Sequence, residues 1–349
     1  MKKHKIAWTE QTWNPIIGCS RISSGCENCY AEKMANRLAF IDNTAYYRNV
    51  VKFDNYVGGN EFENKDKWFD EVWNGKTHFV KSQLEKPFKW KNPRMIFVCS
   101  MGDLFHESVP FEWIDEVIAR IAISDQHIFQ LLTKRPDRMR DYFSEFREDQ
   151  IRNIWWNKYK IYTTQKRYVQ IPDNIWLGVT AENQIQAIKR IPTLLDIPAK
   201  IKFVSIEPML SEINLIKLRE GISLESNALN GECYSLEETY QDINNRKLNW
   251  VICGGESGSN ARPMHPDWVR SLRDQCESAN VPFFFKQWGE WIPTNERKAV
   301  HDNEIILVPE GKGVFFTANP NAKVMRRIGK KKAGCLLDGK EYKQFPKLT

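Results

Sequence analysis

The chain has 349 residues, 42% hydrophobic and 27% charged, with a formal net charge of +7 at pH 7. These values exclude a predominantly disordered chain and permit an anionic partner without requiring one. No N-terminal apolar segment and no apolar run of about 18 residues occurs, which argues against a secretory signal and a membrane span, so a cytoplasmic location is expected.

In chain order, the first feature is WNPIIGCSRISSGCENCYAEKMA, in which Cys19, Cys26 and Cys29 are spaced C-x6-C-x2-C. A strand is expected near it and a helix over Glu32–Phe40, which puts the cysteines in the loop leading into that helix. Residues 41–92, including GGNEFENKDK, show little apolar periodicity and read as an excursion. Six short runs are nearly all apolar and end in polar or glycine residues: Met95–Ser100, His127–Thr133, Ile175–Thr180, Ile201–Glu207, Trp250–Gly254 and Pro282–Lys286. Strands buried on both faces have this pattern. Phe111–Ser124 and Pro266–Ala279 carry apolar residues at helical spacing and start near a proline. Residues 211–248 are polar and acidic and read as an inserted surface loop or lid. Beyond Trp291 the chain turns basic, with Arg326, Arg327 and Lys330–Lys332.

Strands separated by helical patterns imply a parallel β/α arrangement, and no glycine fingerprint of a dinucleotide-binding sheet follows the first strand. The expected fold class is therefore α/β, a full or partial (β/α) TIM-type barrel with parallel strands, an inserted loop region and a C-terminal appendage. The barrel is expected over residues 1–296, with the excursion 41–92 and the insert 211–248, and the basic appendage over 297–349.

Eight cysteines without an export signal are expected to be reduced thiols or metal ligands, not a disulfide framework. Three readings of the clustered trio stay open. A four-iron cluster held by three cysteines keeps one iron open, whereas a structural zinc needs a fourth ligand, here His106 or Cys99 after folding. The third reading is three unligated core cysteines. Gly18 and Gly25 would let the backbone approach a bulky inorganic core, with Tyr30 shielding it.

The strand ends carry the other candidates. Glu207 directly follows an apolar run and is held by Pro208, which points to a site role, since carboxylates are rarely buried without partners. Lys286 ends the last apolar run and either binds an anionic substrate or lies along aromatics. These two are the candidate catalytic residues. Asp103 either caps a turn or meets a ligand, and Lys134 and Arg135 place two cations after the third expected strand. Gly254, Gly255 and Glu256 form a loop open to close ligand approach.

The cysteine loop with its trailing Tyr30 resembles the radical S-adenosylmethionine superfamily, although the usual first spacing there is three residues. More narrowly, WTEQTWNPIIGCSRISSGCENCYAEKMA, RMIFVCSMGDLFHE, QLLTKRPDRM, NIWLGVTAENQ, KFVSIEPML, WVICGGESGSNARPMHPDWVRSLRDQC and PFFFKQWGEW, in order over residues 7–291, resemble a phage- and prophage-borne three-cysteine-motif family of largely unknown function. The resemblance implies a [4Fe-4S] cluster on Cys19, Cys26 and Cys29, S-adenosyl-L-methionine at its open iron, an external electron donor and a 5′-deoxyadenosyl radical that modifies a substrate. It implies Asp103 as a contact of the methionine amino group and Thr180, Glu182 and Asn183 as partners of the ribose. Gly254, Gly255 and Glu256 are further expected cofactor contacts, and a three-Cys-motif partner protein is expected beside the chain.

A nucleic-acid base or nucleotide is the first substrate expected, from the phage link, the net positive charge, the basic tail and the 13 Trp, 11 Tyr and 19 Phe; a partner protein is the second. The alternative to an enzyme is a non-catalytic, zinc-stabilised nucleic-acid- or protein-binding module. A metal-dependent hydrolase is disfavoured because His4, His78, His106, His127, His265 and His301 are scattered.

Overall fold

Each of the six apolar runs forms a strand, and a seventh precedes the cysteines: β1 (Gln11–Trp13), β2 (Met95–Val98), β3 (Ile128–Thr133), β4 (Ile175–Thr180), β5 (Ile201–Ile206), β6 (Trp250–Gly254) and β7 (Phe283–Gln287). The computed structural model describes residues 6–52, 71–145, 147–161, 171–220, 224–235, 239–241, 246–294, 304–308, 311–312 and 322–347. The seven strands make one parallel sheet in the order β1-β2-β3-β4-β5-β6-β7. Spatial order follows chain order with no reversal, as in the winding of a β/α barrel and unlike a doubly wound sheet. The fold is mixed α/β with a curled, partial barrel. Residues of β4 and β5 are buried throughout, which is why their sequences lack polar alternation.

The helices are α1 (Tyr30–Ala39), α2 (Phe111–Ala122), α3 (Pro136–Ser144), α4 (Glu148–Tyr159), α5 (Gln184–Leu195), α6 (Pro266–Ser278) and the short α7 (Lys330–Ala333). On α2 the buried Ile114, Val117, Ile118 and Ile121 recur at three- and four-residue spacing, so one face of the helix is turned inward. Prolines stand at the start of α3 and α6, where the missing N–H leaves no helical bond unmade.

The chain divides into two compact units, Met1–Ile175 and Trp176–Thr349. In the first, α1 packs against the excursion: Ile17, Ala31, Ala35, Ala39, Val50 and Trp73 belong to one apolar cluster, and Cys19 and Cys29 pack against it. The excursion's described parts hold 3₁₀ turns, among them Asp42–Asn49, and the strand His78–Phe79, paired antiparallel with Ile16–Ile17; its GGNEFENKDK stretch lies outside the described residues.

In the second unit, Trp250 is fully buried and its ring meets Trp176, Phe203, Phe284 and Phe345 at centroid distances of 5.1–6.0 Å. Each fully buried Phe of such a set contributes about 1.5–3 kcal/mol of transfer free energy. The insert 211–248 is not a plain loop. Leu218–Glu220, Leu224–Ser226, Glu232–Ser235 and Thr239–Gln241 form a four-stranded antiparallel sheet, with strands too short and too polar to register as a periodic pattern. A second four-stranded antiparallel sheet joins Trp291–Thr294, Lys323–Arg327, Glu304–Val308 and Gly311–Lys312. The C-terminal residues run back along β7: Phe285 N–H donates to Tyr342 O (2.8 Å), Gln344 N–H to Phe283 O (3.2 Å), and Phe284 bridges to Lys343. Of the expected appendage, residues 297–303, 309–310, 313–321 and 348–349 lie outside the described residues.

Candidate functional site

In the first unit the three cysteines occupy the segment between the Ile16–Ile17 strand and α1. Cys26 closes the 3₁₀ turn Ser24–Cys26, and Cys29 immediately precedes the first turn of α1. All three are half-buried free thiols. Burial pushes the Cys19 thiol up to about 12, with Asp103 adding to the rise and Arg135 opposing it. Burial also raises Cys29, against the pull of the α1 backbone amides and the Lys134 ammonium. Gly18 has φ +93°, and a β-carbon there would stand 2.3 Å from Lys76 O. This close backbone approach explains the glycine without an inorganic neighbour. Tyr30 is 54% exposed, and its hydroxyl donates to Ser100 O (2.8 Å).

The ends of β2 and β3 meet this loop through one guanidinium. Arg135, 6% exposed, donates from Nε to both oxygens of Glu107 (2.8 Å each), from Nη1 to Asp103 Oδ2 (3.1 Å) and to Cys19 Sγ (3.6 Å), and from Nη2 to Ser20 Oγ (2.7 Å). Burial alone would lower the Arg135 pKa, but Asp103, Cys19 and Glu107 outweigh it and raise it. Asp103 is buried and accepts from the Thr133 hydroxyl (2.8 and 2.9 Å), from the Phe105 amide (3.0 Å) and from the Lys134 amide (3.4 Å) as well as from Arg135. The carboxylate expected to meet a ligand amine is therefore occupied by the protein's own donors, beyond a simple turn cap.

His106 and Cys99, the two groups that could complete a zinc site, each have other partners, His106 on the cysteine loop itself. His106 Nδ1 accepts from the Ser108 amide (3.1 Å), which leaves Nε2–H to donate to Ser20 Oγ (2.9 Å). The Cys99 thiol is buried against the Ile16 backbone, and burial pushes it up to about 12. Among the described residues, Cys19, Cys26 and Cys29 included, no three His, Cys, Asp or Glu side chains are gathered as a metal-binding group. By donor type alone, three thiols in one loop match a four-iron cluster that keeps one iron open, whereas a closed zinc site would need a fourth ligand.

In the second unit the expected site residues separate into two kinds. Glu182 and Arg190 form an ion pair at 3.0 Å with side-chain exposures of 0% and 2%, and Arg190 also donates to the carbonyl of Thr180 (2.8 Å). Asn183 caps α5 by accepting from the Gln186 amide (3.0 Å). Glu256 takes a two-point contact from Arg262, Nη2 to Oε1 at 2.7 Å and Nε to Oε2 at 2.9 Å. A β-carbon on Gly255 would stand 1.9 Å from Trp288 O, so backbone packing requires that glycine. These residues build the strand ends.

Glu207 and Lys286 are different. Lys286 Nζ pairs with Glu207 Oε2, with side-chain exposures of 19% and 17%. Glu207 Oε1 is enclosed and has no hydrogen-bond partner among the described residues. Gly254, at the end of the intervening strand, leaves room for the pair: a β-carbon there would lie 3.4 Å from Lys286 Cβ and 3.5 Å from Glu207 Cδ. Lys330 of α7 adds a second cation, its pKa lowered by burial and by Lys286 and partly restored by Glu207. An enclosed acceptor without a donor costs about 1–3 kcal/mol and marks a place where a ligand group can supply one.

Ser20, Glu107 and Glu32 are the components that inspection of the sequence passed over. Glu32 is buried and accepts from Arg21 Nε (3.1 Å) and from the amides of Val72 and Trp73, tying α1 to the excursion. An acidic residue in the first turn of the helix was its one legible signal.

A family model described as "Protein of unknown function (DUF5131)" matches residues 3–346, and the chain belongs to that family. No curated protein and no solved structure matches the chain.

Proposed function

We propose that this member of the DUF5131 family is a radical S-adenosylmethionine enzyme, holding a [4Fe-4S] cluster on Cys19, Cys26 and Cys29 and acting on a nucleic-acid base or nucleotide. The observation that carries the reading is the loop itself: three free thiols in eleven residues (19–29), on the segment that follows the first strand of a parallel β/α sheet. The chemistry such a cluster supplies when bound is one-electron reduction of the sulfonium, whose carbon–sulfur bond breaks to leave methionine and a 5′-deoxyadenosyl radical able to take a hydrogen atom from a substrate.

The chain's own residues bind and orient. Arg135, anchored by Asp103 and Glu107, holds the Cys19–Ser20 segment. The Lys134 ammonium acts on Cys29 and offers a cation to an anionic group beside it. In the second unit Glu207 presents a free carboxylate oxygen and Lys286 a cation, a donor–acceptor pair suited to a base edge or a phosphate-bearing ligand. Glu182 and Glu256, neutralised by Arg190 and Arg262, serve as struts in this reading. The net charge of +7 favours a polyanionic substrate; a modified partner protein, including a three-Cys-motif partner, is the other substrate to assay.

The test is anaerobic purification with iron, sulfide and zinc analysis, then dithionite and S-adenosylmethionine with detection of 5′-deoxyadenosine. About four irons per chain with cleavage is the expected result. Cys26→Ala should lose both, while Cys276→Ala, buried on α6, should keep both. One tightly held zinc without cleavage, or equal loss in the two variants, overturns the assignment.

A further inference from the structure

We infer that Arg135 is the positioning residue of the cysteine loop and raises the reduction potential of a cluster bound there; this rests on the iron–sulfur reading above. The guanidinium is 6% exposed and spends each of its three nitrogens on fixed partners. Nε is held by Glu107 at 2.8 Å and Nη1 by Asp103 at 3.1 Å, while Nη1 also faces Cys19 Sγ at 3.6 Å and Nη2 reaches Ser20 Oγ at 2.7 Å and Ser20 O at 3.4 Å. Asp103 is itself clamped by Thr133, whose hydroxyl accepts from the Arg135 amide (2.9 Å) and must therefore spend its proton on the carboxylate. One planar fork thus joins two strand ends to the first cysteine and sets the direction in which Cys19 points.

A donor on a ligand sulfur withdraws electron density from it, and a fixed cation a few ångströms away favours the more negative, reduced state. Both effects move the potential of an iron–sulfur cluster upward. Lysine in this position would keep the charge but lose the fork, since an ammonium cannot serve Glu107, Asp103 and Ser20 in one plane while reaching the sulfur. Glutamine would lose both. The two effects of Arg135, holding the loop and tuning the sulfur, therefore separate experimentally.

The experiment is anaerobic reconstitution of the full-length wild type, Arg135→Lys and Arg135→Gln. Its readouts are iron per chain, the rate of iron loss to a chelator, and the cluster midpoint by redox titration followed by EPR, with circular dichroism confirming that each variant is folded. Outer-shell partners of metal ligands typically carry 10–100-fold in affinity, so iron loss should accelerate at least about tenfold in Arg135→Gln. The midpoint should fall below wild type in both variants, further in Arg135→Gln. Wild-type iron retention and an unchanged midpoint in both folded variants overturn the inference while leaving the cluster reading intact. A wild-type chain that takes up no iron overturns both.

Discussion

A carboxylate at a strand end acquires its meaning from what neutralises it. Glu182, Glu207 and Glu256 occupy similar places in the second unit, yet only Glu207 keeps an oxygen that the described residues do not use. The Glu182–Arg190 pair is the clearest structural case, with both side chains at 2% exposure or less. Removing one member of such a buried pair typically costs about 3–5 kcal/mol, because the remaining charge has lost its counterion in a dry place. Arg190→Met should therefore lower unfolding stability by that amount in urea titration, and the double variant Arg190→Met/Glu182→Gln should recover part of the loss. A single variant within about 0.5 kcal/mol of wild type would mean that the pair is solvated.

At the scale of elements, the loop after β6 is shaped by backbone contact. Gly255→Ala would drive a methyl against the Trp288 carbonyl, 1.9 Å away, and Gly289 on the opposing segment would meet Glu256 O at 2.0 Å under the same change. Backbone cannot withdraw as a side-chain tip can, so Gly255→Ala should cost about 1–3 kcal/mol. Gly254→Ala meets only ordinary contacts at 3.4–3.5 Å and should be tolerated; thermal melts of the two variants make the comparison. Six strands were legible in the sequence because each is an unbroken apolar run, and α2 and α6 because their apolar spacing is helical. The helices α3, α4 and α5 were not singled out, their polar residues and the proline at 192 in α5 diluting the signal. The strand-end carboxylates could be found by position. Their partners could not: Arg190 and Arg262 lie 8 and 6 residues on, and Lys286 lies 79 residues beyond Glu207, separations that no local pattern encodes.

The acid response of the whole molecule follows from groups buried in their neutral form. His127 is fully buried, and its Nε2–H donates to Pro87 O (3.2 Å), while Nδ1 has no partner among the described residues. Burial lowers its pKa from 6.5, the Pro87 and Trp90 carbonyls oppose the shift and Arg94 adds to it. With the folded value below the unfolded one, the unfolded chain takes up the proton first, so stability is whole above pH 6.5 and declines as pH falls toward the folded pKa. His127→Gln should flatten that decline in urea midpoints measured from about pH 7 to 5; an unaltered slope would assign it to other groups. The pairing of residues 342–344 with β7 has a consequence in time. The three consecutive phenylalanines of β7 are made before the segment that covers them, because Tyr342 follows Gln287 by 55 residues (342 − 287). At about 5–20 residues per second, that edge waits roughly 3–11 s on the ribosome for its cover, an interval in which an apolar strand is open to pairing with the wrong neighbour.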